Sequence, residues 1–167
     1  PDIRVIVYRG FPLMTMMRLS TRASEGKANL HQGAVGLGLA LADGRPVHAI
    51  QFDQTVYEHP DSGADLMSVK IPRWKGLLEL AARSADATGL GYLGADIVID
   101  RHRGPLLLEL NARPGLAIQI ANQAGLAPRI RAVDALPPRH FRESPEQRVM
   151  RAVEMFGEGQ LHLRLDR

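Results

Sequence analysis

Apolar and polar positions along the chain change period several times. Residues 3–8, Ile3-Arg4-Val5-Ile6-Val7-Tyr8, are rich in β-branched side chains and predict a strand. Arg9-Gly10 reads as a turn, and Phe11 to Arg18 as a second strand, so the pair forms a hairpin. From Leu19 to Gly33 apolar periodicity disappears, and a polar loop of about fifteen residues is expected, functional or mobile. Gly33 to Leu41 and Val47 to Phe52 flank Asp43-Gly44 and read as a second hairpin. Pro72 to Thr88 is the clearest helix, with Trp74, Leu77, Leu78, Ala81, Ala85 and Thr88 on one face. Pro72 suits its first position and Gly89 its stop.

Tyr92 to Ile99 and Leu106 to Asn111 are predicted strands joined by the polar turn Asp100 to Pro105. Leu116 to Ala124 reads as a short helix, and Pro137-Pro138 as a linker. Ser144-Pro145 opens a last amphipathic helix carrying Val149, Val153 and Phe156, closed by Gly157 and followed by a tail. Strands, helix, strands, helices in that order predict an α+β fold, a mainly antiparallel sheet with helices packed on one face. Residues 1–136 are expected to form one subdomain, and 137–167 a linker, helix and tail.

The hairpin of residues 92–111 carries the candidate chemistry. Alternation puts Tyr92, Gly94, Asp96 and Val98 on one face of the first strand, and Leu93, Ala95, Ile97 and Ile99 on the other. In the second strand Leu106, Leu108 and Leu110 are expected in the core, with Leu107, Glu109 and Asn111 opposite. If Asp100 pairs with Pro105, Asp96 lies opposite Glu109 and Gly94 opposite Asn111. Two carboxylates so placed have Cβ atoms about 5 Å apart, with a repulsion of roughly 3 kcal/mol at an effective dielectric of 20. Water screening, protonation of one group or an intervening cation would relieve it. Asp, Glu and Asn oxygens together suit a hard divalent ion, above all Mg²⁺ carrying phosphate and water. One acidic residue on the wet face of a hairpin would mean nothing. The combination means more, because Ala112-Arg113-Pro114-Gly115 reverses the chain and directs Arg113 back toward the same oxygens.

Arg18, Arg22, Lys27, Asn29 and His31 lie between two predicted strands, in a polar loop with Gly26 and Gly33 as its joints. Cations on such a loop suit a clamp on polyphosphate, although a lone loop cation is ordinarily a solvated residue. Glu25-Gly26-Lys27-Ala28 is no P-loop, and Gly36-Leu37-Gly38 lacks the third glycine of a dinucleotide fingerprint. The histidines form no i, i+4 pair of the zincin type.

Composition narrows the classes further. With no cysteine, disulfides, zinc-thiolate sites, iron–sulfur clusters and cysteine nucleophiles are excluded. The longest apolar stretch, Ala34 to Ala42, is too short to span a bilayer, so a soluble, cytoplasmic protein is expected, with no membrane partner. The net charge is +3 and three of the cations are lysines, Lys27, Lys70 and Lys75, the rest arginine. That excess suits phosphate and carboxylate recognition, or simply a GC-rich gene. Aromatic residues make up 5% and form no stacking stripe, which argues against a nucleic-acid partner.

Asp2-Ile3-Arg4, Lys27 to Gly33, Gly94-Ala95-Asp96-Ile97 and Glu109 to Gly115, in that order and spacing, resemble the C-terminal half of an ATP-grasp ligase. The chain is most similar to the α-L-glutamate ligase-like group, over about residues 2 to 135. The resemblance implies ATP and Mg²⁺ as cofactors, with two ions, Mn²⁺ being an alternative. It implies Asp96, Glu109 and Asn111 as metal ligands, Glu109 bridging the two ions. It implies Lys27 and Asn29 at the nucleotide phosphates, Asp2 near the ribose, and Arg18 at an acyl phosphate or tetrahedral intermediate, with Arg113 the second catalytic candidate. The implied reaction is carboxylate–amine ligation through an acyl phosphate, glutamate ligation being one form, with an amino acid, peptide or protein as acceptor. The alternative is an ATP-grasp module that binds nucleotide without turning over. Because the chain opens on Pro1 and at once enters a strand, an upstream N-terminal ATP-grasp subdomain is the expected partner, and a homo-oligomer a further possibility.

Overall fold

The structure, a computed structural model, describes residues 1–157. The tail read from the sequence beyond Gly157 lies outside them. Seven strands form one sheet in which every neighbouring pair is antiparallel. They are β1 (Asp2–Tyr8), β2 (Phe11–Leu19), β3 (Val35–Leu39), β4 (Pro46–Gln51), β5 (Gln54–Thr55), β6 (Tyr92–Asp100) and β7 (Gly104–Asn111), in the spatial order β5-β4-β3-β2-β1-β6-β7. Chain-adjacent strands pair by hairpins, and the one long connection carries the chain from β5 through helix α1 (Trp74–Thr88) to β6, beside β1.

Alternation divides the two faces of this sheet. Ile3, Val5, Leu93, Ala95 and Ile97 point to one side and are buried. Helix α1, in contact with β1, β2, β6 and β7, covers that side. Its Leu77, Leu78, Ala81 and Ala85 enter the core, and its Trp74 indole donates to the Leu41 carbonyl at 2.9 Å. The helix starts at Trp74 rather than Pro72, because Arg73 before it takes a left-handed φ of 54° and breaks the helical path. Gly89 ends it in the left-handed conformation, its N–H bonded to the Ala85 carbonyl.

The α+β class and antiparallel sheet agree with the sequence. The helices, expected on one face, are shared between two. Helix α2 (Ala117–Ala121) lies on the face opposite α1, directly against β3 at Gly38. A Cβ at Gly38 would stand 2.1 Å from the Ala121 carbonyl oxygen, so only glycine permits this approach. Two further helices follow, α3 (Leu126–Asp134) and α4 (Pro145–Phe156). Helix α4 opens with a capping box between Ser144 and Gln147 and packs on α1 and β2, with Val149, Ala152 and Phe156 in the common core.

The β6–β7 hairpin differs from its sequence reading in an instructive way. It closes one residue tighter, with Asp100 opposite Gly104, whose φ of 84° suits glycine. The register then slips by one residue between Asp96 and Ile97, leaving Leu108 as the extra residue of a bulge. The two departures cancel at the far end, so Asp96 does pair with Glu109 and Gly94 with Asn111. They do not cancel for the leucines. Leu107 pairs with Ile97 and Leu110 with Ala95 on the apolar side, while Leu108 is 60% exposed. Leu110 keeps its expected place against the core, but the expectation is corrected for Leu106 and Leu108, because the bulge re-aims the strand between Leu107 and Glu109.

Candidate functional site

Residues paired directly across an antiparallel sheet point to the same side. Met16, Arg4, Asp96 and Glu109 are such a row, across β2, β1, β6 and β7. Arg18 and Asp2 form the next row on the same face. Three of these strands thus converge polar side chains behind an otherwise apolar sheet.

The convergence is a continuous ionic network. Arg4 donates through Nε to Asp96 Oδ1 at 2.8 Å and through Nη2 to Asp96 Oδ2 at 2.7 Å. Arg18 Nη2 reaches the same Oδ2 at 2.7 Å and also grips Asp2, through Nε at 2.8 Å and Nη2 at 2.5 Å. All four side chains are 13% exposed or less. Burial works against the charge on Arg18, but the bonds it donates to Asp2 and the charges of Asp2 and Asp96 outweigh it, and its pKa is raised. Asp96 is thus neutralised, in this structure, by guanidiniums of the chain itself. Glu109, on the edge strand, is exposed.

A cleft of about 240 Å³ opens over this network, with Arg4, Met16 and Arg18 on its floor. The β2–β3 loop forms one wall, through Asn29, Leu30 and His31, and Gly115 with Ala117 forms another. The loop is more ordered than its polarity suggested. Thr21 and Ser24 are buried and bond to one another reciprocally, and the Thr21 hydroxyl donates to the Gly33 carbonyl at 2.8 Å. Leu30–Gln32 form a 3₁₀ turn capped by Asn29, whose side chain accepts from the His31 N–H at 3.1 Å. Leu30 lies on β3 at Gly36, where a Cβ would meet it at 2.7 Å. The opposite wall depends on Gly94: a Cβ there would stand 2.7 Å from Pro114.

The sequence-predicted residues are distributed as follows. Asp2, Arg18 and Asp96 come together in the network, Glu109 stands opposite Asp96, and Asn29 lines the cleft. Asn111 shares the strand face of Glu109, and its side-chain oxygen accepts from the Arg113 N–H at 2.8 Å. Lys27 is on the exposed loop, its Nζ 3.4 Å from Glu25, and does not line the cleft. Arg113 is exposed and joins none of the ion pairs among the described residues, so its guanidinium is not brought to the carboxylates. Arg4 was not anticipated. Its signal was present, because alternation places it on the face of Asp2, a cation inside an otherwise β-branched strand.

The donor set fits a hard cation. Among the described residues no three Asp, Glu or His gather into a closed cage. Two carboxylates and an amide oxygen instead leave positions for phosphate and water, the arrangement Mg²⁺ prefers. Asp96 and Glu109 would hold the ion, with Asn111 beside them.

Among the described residues no helix is long and apolar enough to cross a membrane. No curated protein matches the chain. A family model described as sugar-transfer associated ATP-grasp matches residues 1–135, which span every strand and the whole of the cleft. Membership brings ATP binding, use of a divalent metal and ligase-type chemistry at the level of the superfamily. The chain belongs to the sugar-transfer associated ATP-grasp family.

Proposed function

We propose that the chain carries the metal-binding half of an ATP- and Mg²⁺-dependent carboxylate–amine ligase site. The observation that supports this most is the register that sets Asp96 opposite Glu109 beside a cleft floored by Arg4 and Arg18. A substrate carboxylate attacks the γ-phosphate of ATP to give an acyl phosphate and ADP, and an amine then displaces phosphate to form an amide. Mg²⁺, when bound, supplies neutralisation of the polyphosphate charge. Arg18, fixed by Asp2, presents a directed donor to the anion that develops on phosphoryl transfer and acyl substitution. Asn29 and Lys27 belong to the loop that closes over the phosphates, and Asp2 to the ribose side. Holding carboxylate, phosphate and amine in one cleft supplies proximity.

Glutamate is one candidate carboxylate. The sugar-transfer association of the family favours a second choice of amine, an amino sugar, which is both an amine and a sugar. The test is ADP release, assayed with Mg²⁺-ATP, a panel of amino-acid carboxylates, and amino acids or amino sugars as acceptors. ADP release that requires both a carboxylate and Mg²⁺ is the expected result. Tight Mg²⁺-ATP binding without ADP release for any pair would favour the nucleotide-binding module that does not turn over.

A further inference from the structure

We propose that Arg4 occupies Asp96 in place of the divalent cation and sets the affinity for that cation by competing for the same two oxygens. The inference rests on the reading of Asp96 as a metal ligand. Asp96 is 3% exposed and accepts three guanidinium N–H bonds. A carboxylate offers about four lone-pair sites, so little of it remains for a metal while both arginines stay. With both guanidiniums in place, a divalent ion would bring the positive charge to four against the three carboxylates Asp2, Asp96 and Glu109, a repulsion that a low-dielectric site magnifies.

The two arginines are not equivalent in what they would lose. Arg18 keeps two bonds to Asp2 if it releases Asp96. Arg4 has Asp96 alone as its partner in the network, joined by two bonds. Arg4 also lines the cleft, so its guanidinium has open space to enter when displaced. The exchange is therefore carried by Arg4, with Arg18 and Asp2 staying as the fixed frame. Metal-free, the network keeps a buried carboxylate neutralised, and loaded, it releases a cation into the cleft beside the incoming anion.

The test is titration of the protein with Mn²⁺ alone, followed by electron paramagnetic resonance of the free ion. Arg4→Met removes the competing donors at similar side-chain length, and the expected result is Mn²⁺ binding about tenfold tighter than wild type, the worth of one charge-assisted bond. If Arg4 only braced Asp96, the same change would weaken binding. Equal or weaker affinity in folded Arg4→Met overturns the proposal. Wild-type protein supplies a second reading that needs no variant: the Arg4 Nε–H resonance, held by Asp96, should shift or vanish on saturation with Mg²⁺. A resonance unmoved at saturation also overturns it. Asp96→Asn separates the two levels. If that variant binds Mn²⁺ as wild type does, Asp96 is no ligand, and the proposed function fails along with this inference. If it loses Mn²⁺ while Arg4→Met gains nothing, only the competition is wrong.

Discussion

Asp96 is a carboxylate that the chain has almost removed from water, and its neighbours are chosen accordingly. Two guanidiniums bond to it, and one of them is itself anchored by Asp2. Truncating one member of such a network leaves opposite charges buried without compensation, which typically costs about 3–5 kcal/mol. Arg18→Met should therefore destabilise the protein by about that amount in urea unfolding, since it strips donors from both Asp2 and Asp96. A change below 1 kcal/mol would mean that the network is solvated rather than buried. The shared face of Asp96, Glu109 and Asn111 was legible in the sequence because period-two alternation assigns faces without knowledge of the fold. Arg4 was equally placed by alternation, but the strand around it reads as core, and its partner lies 92 residues away. Nothing local announces a buried pair of that span.

At the scale of elements, the β6–β7 hairpin shows what a register count can and cannot deliver. The pairing at the site followed from the count although the turn is one residue shorter than assumed, because the bulge at Leu108 restores the lost residue. The same bulge moves Leu108 out of the core. Leu108→Ala should accordingly change stability by only a few tenths of a kcal/mol, whereas Leu78→Ala, in α1 and 1% exposed, should cost about 2–5 kcal/mol. Equal losses at the two positions would contradict the bulge. Helix α3 escaped the sequence reading for a different reason. Its inward positions are Leu126, Arg129 and Val133, so an arginine stands where an apolar residue would have completed the pattern. The Arg129 guanidinium bonds to the Leu13 carbonyl, and burial lowers its pKa.

Helix α4 was read correctly from its cap and apolar spacing, but not the clasp at its start. Glu143 accepts from Arg151 at 2.5 and 3.0 Å and from His140 at 2.6 Å. Chiefly through the Arg151 bonds, with His140 adding to them, its pKa falls to about 2. A carboxyl depressed on folding contributes stability above its unfolded pKa of about 4.3 and loses it as pH falls toward the folded value. Wild-type protein should thus lose stability between about pH 5 and pH 2, and Glu143→Gln should be less stable at pH 7 with a flatter acid limb. An unchanged acid limb would show that Glu143 titrates alike folded and unfolded.

For the whole molecule, the cleft exists because loop, sheet and helix approach one another at glycines. Gly36 seats Leu30 of the loop, Gly38 seats α2, and Gly94 seats the Pro114 reversal. The sequence gives no sign of this role, since Gly36-Leu37-Gly38 looks like any small-residue strand until the third dimension supplies the neighbour. Gly38→Ala should displace α2 and cost about 1–3 kcal/mol as an overpacked contact, visible in the urea midpoint; wild-type stability would mean that α2 has room to withdraw. The proposed ligase site requires Asp96 and Glu109, neighbours on one face, to grip a cation that carries the triphosphate. Calorimetric titration of Mg²⁺-ATP into wild type and Glu109→Gln is the sharpest test, because Glu109 is exposed and its replacement should leave the fold intact. Loss of Mg²⁺-dependent nucleotide binding in a folded Glu109→Gln protein is the expected result. Unchanged Mg²⁺-ATP affinity in that variant would contradict the metal assignment and the ligase reading built on it.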